Sequence, residues 1–456
     1  MMAFTIFVSS HRLLRIAGTG AVLGALLAQP ASALGLMQAY DAALQNDPVY
    51  RAAVSENQAG QQFKVLGRAG LLPNAQLNYG TANNKAEITQ PDMFGNPATT
   101  KPDYRSSSNS LSVRQTLFNL DALARYRQGL AQTDYSDAQF SSRNQDLIIR
   151  VMMAYADAKY AEDQLALYSA QRDALAEQRL VNDKMFQNGE GTRTDMLETQ
   201  AKLDVAEAQV IEAGDNLSVS RNTLAVMIGR DVTSLDGLAP DFKVMLVPLQ
   251  SIEEWKAIAG KNNAELAAGR FAEEIAEQEI SKARSGHAPR LDLNLSVSRN
   301  NSESVTSYKQ DSTVRSIGVQ LVVPLYSGGA VNAQSRQAVA NRDKARSDLE
   351  TTRNKVMIEL YKQIGPAQNS VAKMDALQKS VNSATLLVRA TRESVKGGVR
   401  INLDVLNAQQ QLVVAKRDLA QARYSYLLSF LKLRVAAGTL DLDDLRVVAG
   451  YFSAIN

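Results

Sequence analysis

Two stretches of this chain repeat one pattern of residues suited to electrostatic work. Gly189-Glu-Gly-Thr-Arg-Thr-Asp195-Met-Leu197-Glu-Thr-Gln200 and Gly398-Val-Arg-Ile-Asn-Leu-Asp404-Val-Leu406-Asn-Ala-Gln409 lie at a constant offset of 209 residues. Each reads Gly, five residues, Asp, one residue, Leu, two residues, Gln. Glycine takes the left-handed conformation that ends a helix, and the aspartate then falls in the first turn of the next helix, where the dipole favours an anion. The pattern predicts the turns of two helical hairpins, with a carboxylate at the matching place in each. An aspartate there could do no more than start its helix. The repetition, which extends to most of the chain, gives the pair further weight.

Other chemistry is scarce. The chain has no cysteine, which removes disulfides, thiol catalysis and thiolate metal ligands. Histidine occurs only at His11, in the leading segment, and at His287, so no multi-His metal site is available and a His-based triad is not expected. Ser327-Gly328-Gly329 lacks the Lys-Ser/Thr that a phosphate loop needs. The single tryptophan, Trp255, reads as a packing residue. No catalytic residue, metal ligand or cofactor is expected, and a formal charge of +3 suggests no nucleic-acid surface.

The elements that must position the two turns follow from periodicity and punctuation. Arg12 and Arg15, an apolar run from Ile16 to Ala28, and Ala31-Ser32-Ala33 form a signal peptide over residues 1–33. Its removal leaves a formal charge of +1, and no later run is long enough for a transmembrane helix. Leu36 to Gly67 reads as a helix with an interruption at Asn46-Asp47-Pro48. Strands are expected near 75–82 and 109–118, with the polar, proline-bearing stretch Asn83 to Ser110 as a long loop. A coiled-coil hairpin covers 121–229, closed by Gly229. Residues 34–240 thus form one repeat and 241–251 a connector. The second repeat, 252–445, has strands near 291–298 and 316–325 and a hairpin at 329–438, before a tail at 446–456. Gly365-Pro366 predicts a kink in its first long helix.

Four alternating strands of about nine to ten residues suit a bilayer crossing. A membrane admits sheets only as closed barrels, and four strands fall short of the minimum of about eight, so the strands must come from several subunits. The long helices, rich in small apolar residues with Gln, Asn and Ser, suit a side-by-side arrangement around a wet interior. The same strands could also build a soluble sandwich.

The chain resembles the TolC family of outer-membrane channel proteins over nearly its whole mature length. The resemblance rests on Asn46-Asp-Pro48, Gly286-His-Ala-Pro-Arg-Leu-Asp-Leu293, Val323-Pro-Leu-Tyr-Ser-Gly-Gly-Ala-Val-Asn332, both turn motifs, and Leu419-Ala-Gln-Ala-Arg-Tyr-Ser-Tyr426. It implies a mainly α protein with a membrane β-barrel portion. Three copies, four strands each, would close a twelve-stranded barrel in the Gram-negative outer membrane, continued by an α-helical barrel in the periplasm. It implies an exit duct that passes secreted proteins or small toxic compounds. The partners would be a periplasmic adaptor protein and an inner-membrane transporter of the ABC or RND type, with outer-membrane lipid around the barrel. By motif position Asp404 and Asn407 would line the pore constriction. Arg400 would link to Asp195 and Thr194 of the other hairpin, and Gly189 and Gly398 would sit at the adaptor-docking tips. Two departures from the family pattern, Val395 where a tyrosine is usual and Asn407 where a second aspartate is, imply a less charged ring and a weaker lock. A structural or adhesive envelope stalk without a conducting pore is the alternative class.

Overall fold

The computed structural model describes residues 33–239, 242, 251–302 and 310–453, so the expected signal peptide and most of the connector lie outside the described residues. The chain runs α1 (Leu36–Asn46), α2 (Pro48–Gly60), α3 (Gln62–Ala69), β1 (Asn74–Lys85), β2 (Ile88–Pro91), β3 (Pro97–Thr100), β4 (Asp103–Phe118), α4 (Leu120–Gln187), α5 (Arg193–Ile228) and β5 (Gly237–Leu238). It continues with α6 (Ile252–Asn262), α7 (Ala264–Arg284), β6 (Arg290–Ser302), β7 (Gln310–Val322), α8 (Ala330–Lys396), α9 (Asn402–Ala437), α10 (Leu442–Ala449) and β8 (Phe452–Ser453). No helix among the described residues is long and apolar enough to cross a membrane.

Both expected hairpins are present. α4, of 68 residues, spans roughly 100 Å at 1.5 Å per residue, and α8, of 67, nearly the same. The turn glycines Gly189 and Gly398 have φ of 77° and 71°, the left-handed region where a side chain would be strained. The return helices end alike. α5 stops at Gly229 against Asn46, and α9 stops at Gly438 against Asn262 and Asn263, both glycines left-handed. Each return helix therefore docks on the break in its own repeat's leading helices.

The leading helix of the first repeat is broken twice, not once. Asp47 caps α2 by accepting from the Tyr50 N–H at 3.1 Å, and it also receives Arg150 Nη2 at 2.6 Å. The second break, at Gln61, lets α3 lie against α4, where a Cβ on Gly67 would stand 2.7 Å from the Arg125 carbonyl oxygen. α8 runs through Pro366 as one helix.

The four long strands form one antiparallel sheet in the order β1-β4-β6-β7. They are longer than expected, at 12, 16, 13 and 13 residues. The stretch read as a long loop is instead a continuation of the β1–β4 ribbon, extended by the β2–β3 hairpin with Pro91 paired to Pro97 next to its turn. β7 stops at Val322, ahead of Pro324, so the last three residues of the expected strand lie outside it.

The register sorts the sheet into two faces, because directly paired residues share a side. Ala75, Val113, Leu295 and Ile317 form one row and Leu77, Leu111 and Val297 the next, while Leu293 with Val319 and Leu291 with Leu321 extend the same face. The other face carries Gln76, Ser112, Ser296 and Ser316 in one row and Arg114 with Asn294 in another. Ile317, Val319 and Leu321 are all more than 60% exposed in a single chain.

The main core lies where the two repeats and the chain's last elements meet. Leu147, Val151, Met152 and Tyr155 of α4 pack with Leu224 and Ile228 of α5, Leu427 and Leu431 of α9, and Leu445 and Val448 of α10. The Tyr155 hydroxyl donates to the Leu34 carbonyl at 2.7 Å, and β8 pairs with β5. The residues read as a tail are thus tied into this belt, and the boundary placed at 445/446 falls inside α10. Trp255 is a packing residue, buried with Ala259, Leu266, Val356 and Leu360.

Candidate functional site

The site lies at the free end of the two hairpins. At the first turn the Gly191 and Glu190 N–H groups both donate to the Met185 carbonyl, and at the second Val399 and Arg400 donate to the Ser394 carbonyl. Both turns close by the same multiple bonding to one carbonyl. Around them Met185, Phe186, Leu197, Val399 and Ile401 are exposed apolar side chains.

Asp195 and Asp404 both stand in the first turn of their helices. Asp195 is engaged locally: its N–H donates to Thr192 Oγ1 at 3.1 Å, and Thr192 Oγ1 donates to Asp195 Oδ2 at 2.6 Å. Thr194 is exposed beside it. Arg400 lies 3.9 Å from Asp404, one helical turn apart, and both side chains remain partly exposed. Within one protomer, then, Arg400 reaches Asp404 and does not reach Asp195 or Thr194. Asn407 is exposed one turn beyond Asp404 and adds no charge. Val395 is half-buried and offers no side-chain hydrogen bond.

The two hairpins are joined near these turns by a polar clasp that the sequence reading did not identify. Asn182 and Thr199 are buried, and Asn182 Nδ2 donates to Thr199 Oγ1 at 2.8 Å. Thr199 Oγ1 itself donates to the Asp195 carbonyl at 2.8 Å. From the second hairpin, Asn402 Nδ2 donates to Thr199 Oγ1 at 3.1 Å, and Gln178 Nε2 donates to Asn402 Oδ1 at 3.4 Å. One signal existed. Leu175 is a buried core residue of α4, and seven residues on, at the same heptad position, stands Asn182. A polar residue in a coiled-coil seam specifies register at a cost in stability.

Further from the turns, Gln171 Nε2 donates to Gln410 Oε1 at 2.7 Å, and the Tyr424 hydroxyl donates to Asp163 Oδ2 at 2.6 Å. Burial, with the charge of Asp163, pushes the Tyr424 phenol well above its ordinary range, so it stays a donor at any physiological pH. Lys159 is buried, which opposes its charge. Its bond to Glu162 at 2.8 Å and its pairing with Asp163 at 3.3 Å nonetheless hold its pKa above the usual lysine value. Arg221 of α5 reaches Glu162 at 2.9 Å, so this charge group spans α4, α5 and α9.

At the other end of the molecule Asp292 is fully buried between Arg114 and Arg290, the latter at 3.1 Å, on the polar face of the sheet. Among the described residues no cluster of three or more acidic or histidine side chains could hold a metal ion. The candidate parts are therefore the two turn aspartates, the polar clasp between the hairpins and the ion-paired Asp292 on the sheet's polar face.

Comparison with known proteins bears on the fold and the family. The profile described as outer membrane efflux protein matches residues 39–230 and 257–439, one segment for each repeat. The alkaline protease secretion protein AprF of Pseudomonas aeruginosa is 40% identical over 94% of this chain and 89% of its own length. The proteases secretion protein PrtF of Dickeya chrysanthemi is 40% identical over 93% of this chain and 92% of its own. Among solved structures, the Campylobacter jejuni CmeC outer membrane channel superposes with a TM-score of 0.77 at 17% identity, over 97% of this chain and 98% of that one. A doubled strand-and-hairpin fold, carboxylates at paired turns and a two-faced open sheet meet in one conclusion: this chain belongs to the outer membrane efflux protein family, the family of the TolC channels.

Proposed function

We propose that this protein is the outer-membrane exit duct of a type I secretion system that releases a protease or a protein of that kind. The observation that carries the duct is the open sheet. β1 and β7 are unpaired edges, and one face between them is apolar and bare. In hydrocarbon unpaired strand edges are untenable, so β7 of one copy must pair with β1 of the next until the sheet closes. Three copies contribute twelve strands, within the range of membrane barrels. The helices support the same symmetry, because Val205, Val219 and Val226 recur along α5 at multiples of seven and are exposed in a single chain. Such a stripe suits a neighbouring copy.

The cargo reading rests on AprF and PrtF, both protease secretion proteins and each 40% identical. An inner-membrane transporter and a periplasmic adaptor would complete the path, the adaptor meeting the hairpin tips at Gly189 and Gly398. In the assembled tunnel Asp404 and Asn407 face the constriction, and Arg400 exchanges its loose partner Asp404 for Asp195 or Thr194 of the adjoining copy. The envelope-stalk alternative has no support, since the relatives are secretion proteins. Deleting the gene and restoring it with the wild-type chain tests the cargo: protease release should vanish and return. Continued release without the chain would contradict it.

A further inference from the structure

The lipid-side face of the sheet ends, away from the helices, in two arginines. Arg315 of β7 continues the row of Leu77, Leu111 and Val297, and Arg299 of β6 heads the row above it with Tyr79, Asn109 and Thr313. They are diagonal neighbours on paired strands, with positions about 7–8 Å apart. Both are exposed. Among the described residues neither guanidinium has an ion pair or a side-chain hydrogen bond. Among the described residues the other cations of the sheet above the apolar rows have partners: Lys85 with Asp103, Lys101 with Glu87, and Arg105 with the Thr81 hydroxyl. On the opposite face Arg114 and Arg290 share the buried Asp292 as their partner. The nearest acid on the same face is Asp311, two positions beyond Thr313 on β7.

We infer that Arg299 and Arg315 form a binding site for the phosphorylated headgroup of a glycolipid in the outer leaflet. This rests on the duct reading, which sets the apolar face against lipid and the helix-free end of the sheet outside the cell. The guanidinium is the side chain best shaped to take a phosphate through two parallel hydrogen bonds. Below the pair, Leu295, Val297, Ile317 and Leu111 offer an apolar bed for acyl chains, so headgroup and chains meet matching surfaces in the order a lipid requires. Tyr79 stands in the Arg299 row, at the level where amphipathic rings sit in a membrane boundary. Free phosphate has no use for the apolar bed, which favours a lipid over a soluble anion.

The full chain, purified in detergent as its oligomer, is titrated with a glycolipid bearing two phosphates and, separately, with the same lipid after phosphatase treatment. Retained lipid is counted by native mass spectrometry. The wild type should hold the phosphorylated lipid and release the dephosphorylated one. Arg299→Gln with Arg315→Gln should weaken retention about 30-fold, from roughly one favourable headgroup contact per arginine, and the corresponding lysine pair should keep most of it. Inorganic phosphate at the same concentration should not displace the lipid. Equal retention of the two lipids, an unchanged Gln pair, or displacement by inorganic phosphate would overturn the site. If the Gln pair fails to assemble, the two lipids on wild type and the lysine pair decide the matter. A wild-type oligomer that conducts but fails this lipid test sinks the site alone. A wild type that neither oligomerises nor conducts sinks the duct reading and the site with it.

Discussion

Asp404 and Arg400 illustrate what one chain can and cannot accomplish at its tips. At 3.9 Å and partly exposed, their pair is a weak, solvated contact. Three copies around an axis would gather three Asp404 carboxylates, and like charges held close favour a cation between them. Asp404→Ala should therefore lower cation selectivity and relieve block by polyvalent cations in single-channel recordings, with the oligomer intact. In the assembled duct Arg400→Ser would remove instead the proposed charge-assisted link to Asp195 of the adjoining copy, worth roughly 1–3 kcal/mol where water is limited, and should raise conductance. Traces from both variants that match the wild type would remove the two residues from the gate. Asp47 makes a different residue-scale prediction. Burial opposes its charge, yet the Arg150 hydrogen bond, the charge of Arg150 and two backbone N–H groups hold its carboxyl below the usual range. The group thus binds its proton more weakly folded than unfolded, and its contribution is full above about pH 3.9 and fades as pH falls through its lower folded value. Asp47→Asn should lower thermal stability at pH 7 and lose much of that deficit near pH 2; a deficit independent of pH would show that capping, not charge, is what matters. The position of Asp404 was legible from the glycine six residues before it. Its partners were not, because they depend on how far a side chain reaches between helices or between subunits.

The hairpins, at the next scale, were legible because glycine punctuates them. Gly189, Gly229, Gly398 and Gly438 all adopt positive φ at helix ends. The ribbon at 83–110 was hidden by its polarity: Arg, Ser and Asn populate both faces of β4 from Arg105 to Ser110, so no apolar alternation marks it. Pro91 and Pro97 look like loop residues, but they occupy the last and first positions of their strands, where proline is tolerated. The clasp was hidden for the opposite reason, because its polar residues lie inside. Thr199→Val keeps the shape and removes the hydroxyl that Asn182 and Asn402 both use. Taking this acceptor from the buried Asn182 and the half-buried Asn402 should cost about 1–3 kcal/mol and speed hydrogen exchange over residues 399–410. Unchanged exchange there would mean the clasp does not hold α9. In the sheet, Val319→Arg places a charge among the apolar rows and should cost roughly 2–4 kcal/mol near the bilayer midplane. The variant should be depleted from outer-membrane fractions; normal insertion would show that this face does not meet lipid.

The doubling governs the whole molecule. Each repeat carries two long strands of the sheet, a long hairpin and a glycine-ended return helix seated on its own leading helices, and the repeats share one belt-like core that also takes in α10 and β8. That belt was only partly legible, since the pairing of β5 with β8 depends on two short segments more than 200 residues apart with no periodicity of their own. The proposal of several copies starts from a count that the sequence already offered, four strands that cannot close alone, and the structure adds the two unpaired edges β1 and β7. The central claim is that several copies close into a conducting duct, and recording the purified protein in a planar lipid bilayer tests it most directly. Discrete conductance steps, cation-selective and sensitive to polyvalent cations through Asp404, are the predicted result. A protein that inserts into the bilayer as a stable oligomer yet passes no current under any applied voltage would contradict it.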